Sequence, residues 1–310
     1  MKCRSLIVVT ALCAYLGASL CWGDDGKHQE PPVPKPQAPI RPNVSTTKST
    51  KPPPKPRLSV SINQTAELTS YRGWPLVIEA SITHPSAMRL GQRPPSVPPL
   101  IVAAPSSWAD LFQLEVTGES GTVSTWPVTL LERPPSSLTL DMEHAGELLW
   151  TLSPAEASKL ASGQYRIAAV LTSGDATPEG AWKGTVRSPA VLLTLLDEPT
   201  PLSLEFKEQK MMVFSDFHLV RGEVDEAARV IAAHLAEDPE SIDGLAMSGE
   251  LAVLRGNIPE AVRLYEQAIA VHSKRFPDSP EPPVTLYSRL YQLQKQLPAR
   301  SLPYPFEYKK

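Results

Sequence analysis

The histidines of this chain are the residues best suited to metal binding or proton transfer, and their spacing supports neither role. None forms an HExxH or His-x-His pair, the spacings that bring two imidazoles to one metal ion. The six are His28, His84, His144, His218, His234 and His272. We therefore expect no metal site and no cofactor.

Motifs for nucleophilic catalysis and phosphate binding are also missing from the sequence. The chain has no Gly-x-Ser-x-Gly turn and no glycine-rich phosphate loop. The charged run Asp-Met-Glu-His at 141–144 lies between two predicted strands, where such residues most often form a turn. Paired carboxylates that only folding brings together stay an open alternative. The sequence favours a protein that is not an enzyme.

The N-terminus predicts export. Lys2 and Arg4 precede an apolar stretch, and Gly23 ends a possible cleavage site, so residues 1–23 have the pattern of a signal peptide. The apolar stretch is shorter than the roughly 20 residues that span a bilayer. We expect a secreted or periplasmic protein of the cell envelope, with no transmembrane anchor after cleavage.

The cysteines and the net charge further limit the classes of protein to which the chain could belong. Cys3, Cys13 and Cys21 all lie within the predicted signal, so the mature chain would contain no disulfide. Lipid attachment at Cys21 is a minor alternative, because Leu20 stands where lipoproteins favour a small residue. A net charge of −3 produces no strong electrostatic field that would attract nucleic acid.

Residues 24–57 are rich in proline and lysine and predict a disordered linker. Ten prolines lie between positions 31 and 56, with basic residues among them. Fixed proline φ angles favour an extended, solvated chain. The segment is a spacer or, alternatively, a cationic tether on an anionic cell-envelope polymer.

Residues 58–198 predict an antiparallel β-sandwich. At 76–83, apolar residues alternate with polar ones at a period of two, which is typical of a half-buried strand. The eight predicted strands are 58–62, 76–83, 112–116, 128–131, 138–140, 148–152, 165–171 and 191–196. Five tryptophans fall in this stretch, and they favour core packing over a platform for sugars: Trp74, Trp108, Trp126, Trp150 and Trp182.

The segment 160–165 (Leu-Ala-Ser-Gly-Gln-Tyr) resembles the tyrosine corner of immunoglobulin-like and fibronectin type III domains. The resemblance implies that Tyr165 donates a hydrogen bond back to the loop before its strand. It covers only this corner and the strand count, because the Cys…Trp…Cys framework of antibody domains is absent. The expected fold is therefore Ig-like in architecture.

Two segments of the C-terminal third match in register at a spacing of 34 residues. Residues 221–229 (Arg-Gly-Glu-Val-Asp-Glu-Ala-Ala-Arg) align without gaps with residues 255–263 (Arg-Gly-Asn-Ile-Pro-Glu-Ala-Val-Arg). Gly222 and Gly256 permit tight reversals between helices. Ala227 and Ala261 let the paired helices approach closely. This period indicates stacked helix-turn-helix units.

The pattern resembles the tetratricopeptide (TPR) repeat family over residues 204–297. The resemblance implies two helix pairs and a capping helix at about 282–297, followed by a tail at 298–310. His234 departs from the pattern, which has a small residue there. The remaining positions that the resemblance assigns to helix crossings and ends are Pro239, Gly249 and Ala268.

In that family the first helix of each pair lines a groove that holds a partner segment. Transferred by position, the groove candidates are Gln209, Met212, Asp216, Leu219, Asp243, Ala246, Glu250 and Val253. Members that hold a C-terminal carboxylate place Lys and Asn at such positions. Asp216 and Glu250 stand here instead, so an acidic groove would favour a basic or neutral partner. A simple solvated helix face is the alternative.

Two repeats are fewer than the three that usually give independent stability. We expect the sheet domain, or a second copy in a homodimer, to cover the open face near Phe206, Met211 and Phe214. The expected function is an exported adaptor that binds a protein or peptide through the groove. The alternative is an envelope or polysaccharide-binding sandwich whose helices serve only docking or dimerisation.

Overall fold

The computed structural model describes residues 54–86, 98–141, 144–174, 177–277 and 284–297. The predicted signal peptide, the predicted tail and almost all of the predicted linker lie outside the described residues. The elements of the fold belong to one compact unit, Lys55–Lys310.

Twelve β-strands occupy the first part of the described chain. In order they are β1 (Arg57–Ile62), β2 (Glu67–Tyr71), β3 (Leu76–Thr83), β4 (Leu100–Ala103), β5 (Phe112–Gly118), β6 (Val123–Ser124), β7 (Thr129–Leu130), β8 (Ser137–Leu140), β9 (Gly146–Leu152), β10 (Gly163–Ser173), β11 (Gly184–Arg187) and β12 (Val191–Leu196). A four-residue helix, α1 (Pro154–Ala157), lies between β9 and β10. We call residues 57–196 the sheet region.

The strands form three sheets. One has the order β1-β3-β9-β7, a second has the order β2-β12-β10-β5-β6 with β11 also paired to β10, and β4 pairs with β8. β2 runs parallel to β12, whereas the other strand pairs are antiparallel. The expectation of a wholly antiparallel fold is therefore wrong at this edge, and the sheet region is mixed.

The two larger sheets share one hydrophobic core. Ile78 of β3 and Leu152 of β9 belong to the same buried cluster as Ile167 of β10 and Leu193 of β12. β3 alternates buried and half-buried side chains along its whole length, as expected of a strand with one face against a core. The Tyr165 hydroxyl donates to the Ala161 carbonyl oxygen at 2.8 Å, just before β10.

Five helices follow the sheet region, and we call residues 204–294 the helical region. They are α2 (Leu204–Val220), α3 (Val224–Glu237), α4 (Ile242–Leu254), α5 (Ile258–Arg275) and α6 (Val284–Gln294). Side-chain oxygens of Ser203, Ser241 and Asn257 accept backbone N–H bonds at the starts of α2, α4 and α5, which satisfies donors that have no partner within a helix.

Gly222 and Gly256 end the turns after α2 and α4. Both have φ close to +74°, at 74° and 73°, the left-handed conformation that glycine adopts without steric cost. After each glycine, the next backbone N–H donates to the carbonyl oxygen five residues back: Glu223 to His218, and Asn257 to Ala252. This pattern closes the helix ends and turns the chain back on itself.

Small residues lie at the helix crossings. Ala227, Ala261 and Ala268 are fully buried. A Cβ on Gly249 of α4 would lie 2.7 Å from the Tyr265 ring of α5, so only glycine permits this approach. His234, at the position where a small residue was expected, is also buried. Pro239 is exposed in the loop between α3 and α4.

An aromatic cluster joins the sheet region to α2. The Trp74 ring lies 5.1 Å from the Phe206 ring and 6.4 Å from the Phe214 ring, and Tyr71 contacts Phe206 at 4.6 Å. Trp74 Nε1 donates to the Glu198 carboxylate, which also accepts from Lys210 Nζ at 2.6 Å. Of the two covers expected for the open face of α2, the sheet region is the one in contact with it.

Candidate protein-binding face

Seven of the eight groove candidates lie at least partly exposed on neighbouring helices. Gln209 of α2 is exposed, and six others are half-buried: Met212, Asp216, Leu219, Asp243, Ala246 and Val253. Steps of three, four or seven residues put each set along one side of its helix. The two helices meet where Ser215 Oγ of α2 contacts Met247 Sδ of α4 at 3.4 Å. We call these seven residues the α2/α4 face.

Glu250, the eighth candidate, is not part of this face. Its carboxylate is buried and pairs with Arg289 of α6 through two contacts of 2.6 Å, and it accepts a hydrogen bond from Tyr265 of α5 at 2.5 Å. Burial and the Glu250 charge raise the pKa of Tyr265, so its hydroxyl stays protonated as a donor. The expectation that Glu250 lines an acidic groove is therefore wrong, because this carboxylate joins three helices.

Asp216 is the most strongly perturbed carboxyl of the α2/α4 face. Burial raises its pKa from 3.8 to about 6. Among the described residues, none forms a hydrogen bond or ion pair with its carboxylate. A desolvated acid without a partner destabilises the folded chain, and such groups concentrate at functional sites.

Replacing Asp216 with asparagine is therefore expected to stabilise the protein near neutral pH. The folded-state pKa lies above the unfolded value, so the folded chain binds the extra proton and loses stability as pH rises from about 4 to about 6. Asp216→Asn should add roughly 2 kcal/mol to the free energy of unfolding at pH 7.5 and nearly nothing at pH 4. Urea unfolding followed by circular dichroism measures both values.

Glu266→Gln on the exposed side of α5 is the control for that substitution. It should change stability little at either pH. An equal effect of Asp216→Asn at pH 4 and pH 7.5 would contradict the assignment of the penalty to an ionised, buried carboxylate.

A second acidic group lies at the start of α4. Burial is the main cause that raises the pKa of Asp243, and the charge of Glu208 raises it further, while His234 lowers it. Glu208 of α2 accepts a hydrogen bond from Ser241 Oγ at 2.6 Å. The sequence pattern did not indicate Glu208, because its proximity to Asp243 depends on the packing of α2 against α4.

The nearby lysines of α2 are already paired. Lys207 Nζ lies 2.6 Å from Glu237, and Lys210 Nζ lies 2.6 Å from Glu198. Asp216 and Asp243 thus have no ion-pair partner among the described residues. Arg289 of α6 is directed at Glu250.

The sheet region offers little for sugar recognition by stacking. Its five tryptophans are each no more than 8% exposed, so their ring faces are unavailable. A cleft of about 280 Å³ at one end of this region is lined by Glu119, Thr122, Tyr165 and neighbouring polar residues. Another, of about 520 Å³, lies between α3 and α5 over Ala232 and Ala252. Neither coincides with the α2/α4 face.

Asp141 and His144 lie between β8 and β9, and His144 Nδ1 is 2.7 Å from Asp141 Oδ2. Within the described ranges, no cluster of three or more His, Cys, Asp or Glu residues is arranged to hold a metal ion. No helix in the same ranges combines the length and apolar character needed to cross a bilayer.

No protein-family model matches this chain, and no curated protein sequence matches it. One solved structure with some similarity is a family 123 glycoside hydrolase from Clostridium perfringens, described in connection with glycolipid glycan hydrolysis. The TM-score is 0.27 and the identity 9%, and the match covers 51% of this chain and 32% of that chain. Similarity at this level carries no argument about fold or activity.

Proposed function

We propose that this protein is an exported, non-enzymatic adaptor that binds a segment of a partner polypeptide along the α2/α4 face. In this proposal the helical region is a TPR-like array, and the sheet region is an Ig-like sandwich that holds the array in position. The 34-residue spacing of Gly222 and Gly256 and the helix pairs around them support the first assignment. The Tyr165 hydrogen bond supports the second.

One observation carries the proposal. On this face, incompletely buried apolar side chains lie beside acidic side chains that have no ion-pair partner among the described residues. Met212, Leu219 and Val253 are half-buried hydrophobic residues, and Asp216 and Asp243 lack ion-pair partners among the described residues. A partner segment would cover the hydrophobic side chains and neutralise the acidic ones, and both changes favour binding.

Contact between α2 and the sheet region supports the adaptor proposal in a second way. Trp74 is only 1% exposed, and its contacts with Phe206 and Phe214 leave α2 little freedom to move against the sheets. A preorganised face loses less entropy on binding than a mobile one. The sheet region would therefore contribute to affinity without touching the partner.

Site-specific photo-crosslinking in the organism that makes the protein tests this proposal. A benzophenone amino acid replaces Leu219 on the α2/α4 face or, as the matched control, Ala270 on the exposed side of α5. We expect a discrete covalent adduct with another polypeptide from position 219 and none from position 270. No adduct at 219, or the same adducts from both positions, would overturn the proposed function.

A further inference from the structure

Leu297, the last residue that the structure describes, shares a hydrophobic cluster with the α2/α4 face. It packs against the same buried residues as Ala246 and Val253 of that face. The pair between Glu250 and Arg289 holds α6 beside α4. The chain therefore leaves the helical region close to the α4 side of the α2/α4 face.

The sequence that follows Leu297 has one apolar side when it is extended. We call residues 298–310 the tail, and they lie outside the described residues. Prolines at 298, 303 and 305 disfavour a helix in this sequence. In an extended chain, side chains at alternate positions point to the same side. Large apolar residues occupy such positions in the tail: Leu302, Tyr304, Phe306 and Tyr308.

The apolar side of the tail matches what the α2/α4 face leaves uncovered. Met212, Leu219 and Val253 of the face are half-buried. Aromatic side chains laid over them would remove further apolar surface of both partners from water, which favours the contact.

The tail is also long enough to cross the face. Its 13 residues span about 43 Å when extended, at about 3.3 Å per residue. Packed helices lie about 8–10 Å apart, so the path from α6 over α4 to α2 is about 20 Å. The first residues of the tail suffice to reach α4, and residues 302–308 remain to lie across the face.

Charge complementarity favours the α2/α4 face as the place where the tail binds. The tail carries three basic residues, Arg300, Lys309 and Lys310, and one acidic residue, Glu307. Asp216 of the face has no ion-pair partner among the described residues. A basic segment beside this carboxylate gains an attraction that no described lysine or arginine already supplies.

The cleft between α3 and α5 offers no such attraction. Two charged residues line it, and both are already paired: Arg255 with Asp225, and Glu260 with Arg263. A basic segment in this cleft would have to compete with those pairs. The α2/α4 face is therefore the better match for the tail.

We propose that residues 302–308 of the tail lie across the α2/α4 face of the same chain and must leave it before a partner segment binds. This inference rests on the proposed function and adds the regulation of its binding face. A segment on a short tether has an effective concentration of the order of millimolar, so even a weak contact is occupied. Occupancy of about nine-tenths weakens the partner's apparent affinity about tenfold.

Photo-crosslinking of the purified full chain tests the position of the tail. A benzophenone derivative of phenylalanine replaces Phe306 or, as the matched control, Phe276, which follows α5 and is 46% exposed. Mass spectrometry identifies the crosslinked peptides in protein that migrates as a single chain. From position 306 we expect crosslinks to 209–219 of α2 or 243–253 of α4, and from position 276 none to these segments.

Three results of this experiment would overturn the inference. They are crosslinks from position 306 to other surfaces only or to nothing, crosslinks that form only between two chains, and the same α2 or α4 peptides from both positions. Thermal unfolding establishes that both labelled proteins are folded.

Substitutions in the tail test whether it competes with the partner. Tyr304→Ser combined with Phe306→Ser removes two side chains from the apolar side of the tail. In the organism that makes the protein, it should raise the yield of partner adducts from position 219 several-fold, towards the tenfold limit. Glu307→Gln, on the other side of the tail, is the control and should change the yield by less than about twofold. An unchanged or lower yield in the double variant would contradict competition.

The two crosslinking positions separate failure of this inference from failure of the proposed function. Partner adducts from position 219, without crosslinks from position 306 to α2 or α4, would leave the adaptor standing and remove the tail from its face. Crosslinks from position 306 to the face in a protein that forms no partner adduct would remove the adaptor.

Discussion

Replacing Arg289 with alanine is expected to lower the free energy of unfolding by about 3 kcal/mol, because it leaves the Glu250 carboxylate buried without its bidentate partner. The Glu250 side chain is 9% exposed and that of Arg289 is 28% exposed, so water cannot replace the lost contacts fully. Tyr265 alone would then hold the carboxylate. We expect α6 to separate from α4 and α5 before the remaining helices unfold.

Chemical denaturation of the Arg289→Ala variant measures the loss, with Lys295→Ala as the control. Lys295 is an exposed cation immediately after the C-terminal end of α6, and its Nζ lies over the Tyr291 ring, 4.2 Å from the ring centroid. Replacing Lys295 with alanine should lower the free energy of unfolding by less than about 1 kcal/mol. If both variants lose the same stability, the Glu250–Arg289 pair does not hold α6 in place.

A double-mutant cycle strengthens this test. Glu250→Ala should also be strongly destabilising, because it leaves the Arg289 guanidinium without its partner. The double variant should then lose less than the sum of the two single losses. Additive losses would show that the two side chains contribute independently.

Replacing Trp74 with alanine is expected to cost about 3–5 kcal/mol and to uncouple the sheet region from the helical region. Trp74 is almost fully buried among Tyr71, Phe206 and Phe214, and it donates to Glu198. Its loss removes the centre of the aromatic cluster and one of the two donors to that carboxylate. The regions should then unfold in two calorimetric transitions instead of one.

Trp150→Ala is the matched control for the coupling. Trp150 is 8% exposed within the core of the sheet region, so its removal should destabilise that region without affecting the contact with α2. We expect Trp150→Ala to unfold in a single calorimetric transition at a lower temperature. We expect Trp74→Ala to unfold in two transitions. A single transition for Trp74→Ala would show that the aromatic cluster does not couple the two regions.

The sequence predicted elements that carry a local pattern. β3 and β10 were predicted because apolar residues alternate along them, and the helix boundaries near Gly222 and Gly256 were predicted because the repeat marks them. β2, β4, β6 and β11, of two to five residues, were not predicted, because so few residues rarely show a period. β7 and β8 are equally short, and they were predicted only because apolar residues recur at 128–131 and 138–140. The parallel pairing of β2 with β12 depends on topology, which periodicity does not encode.

The candidate face was harder to predict than the helices that carry it. Helical spacing grouped Asp216 with Glu250, although the two carboxylates have opposite surroundings. The difference arises from Arg289, 39 residues beyond Glu250 in the chain. The link between Trp74 and Glu198 spans 124 residues. Contacts between such distant residues are set by tertiary packing, and a single sequence contains no local signal for them.

The contacts of Trp74 with α2 also determine where the helix array can change in length. One end of the helix array is closed by the sheets through Phe206, and the other is closed by α6 through Arg289. An in-frame duplication of the 34 residues from Gly222 to Arg255 would insert one more helix pair between these closures and leave both intact. The architecture therefore permits a longer helix array by internal insertion, with the terminal contacts unchanged.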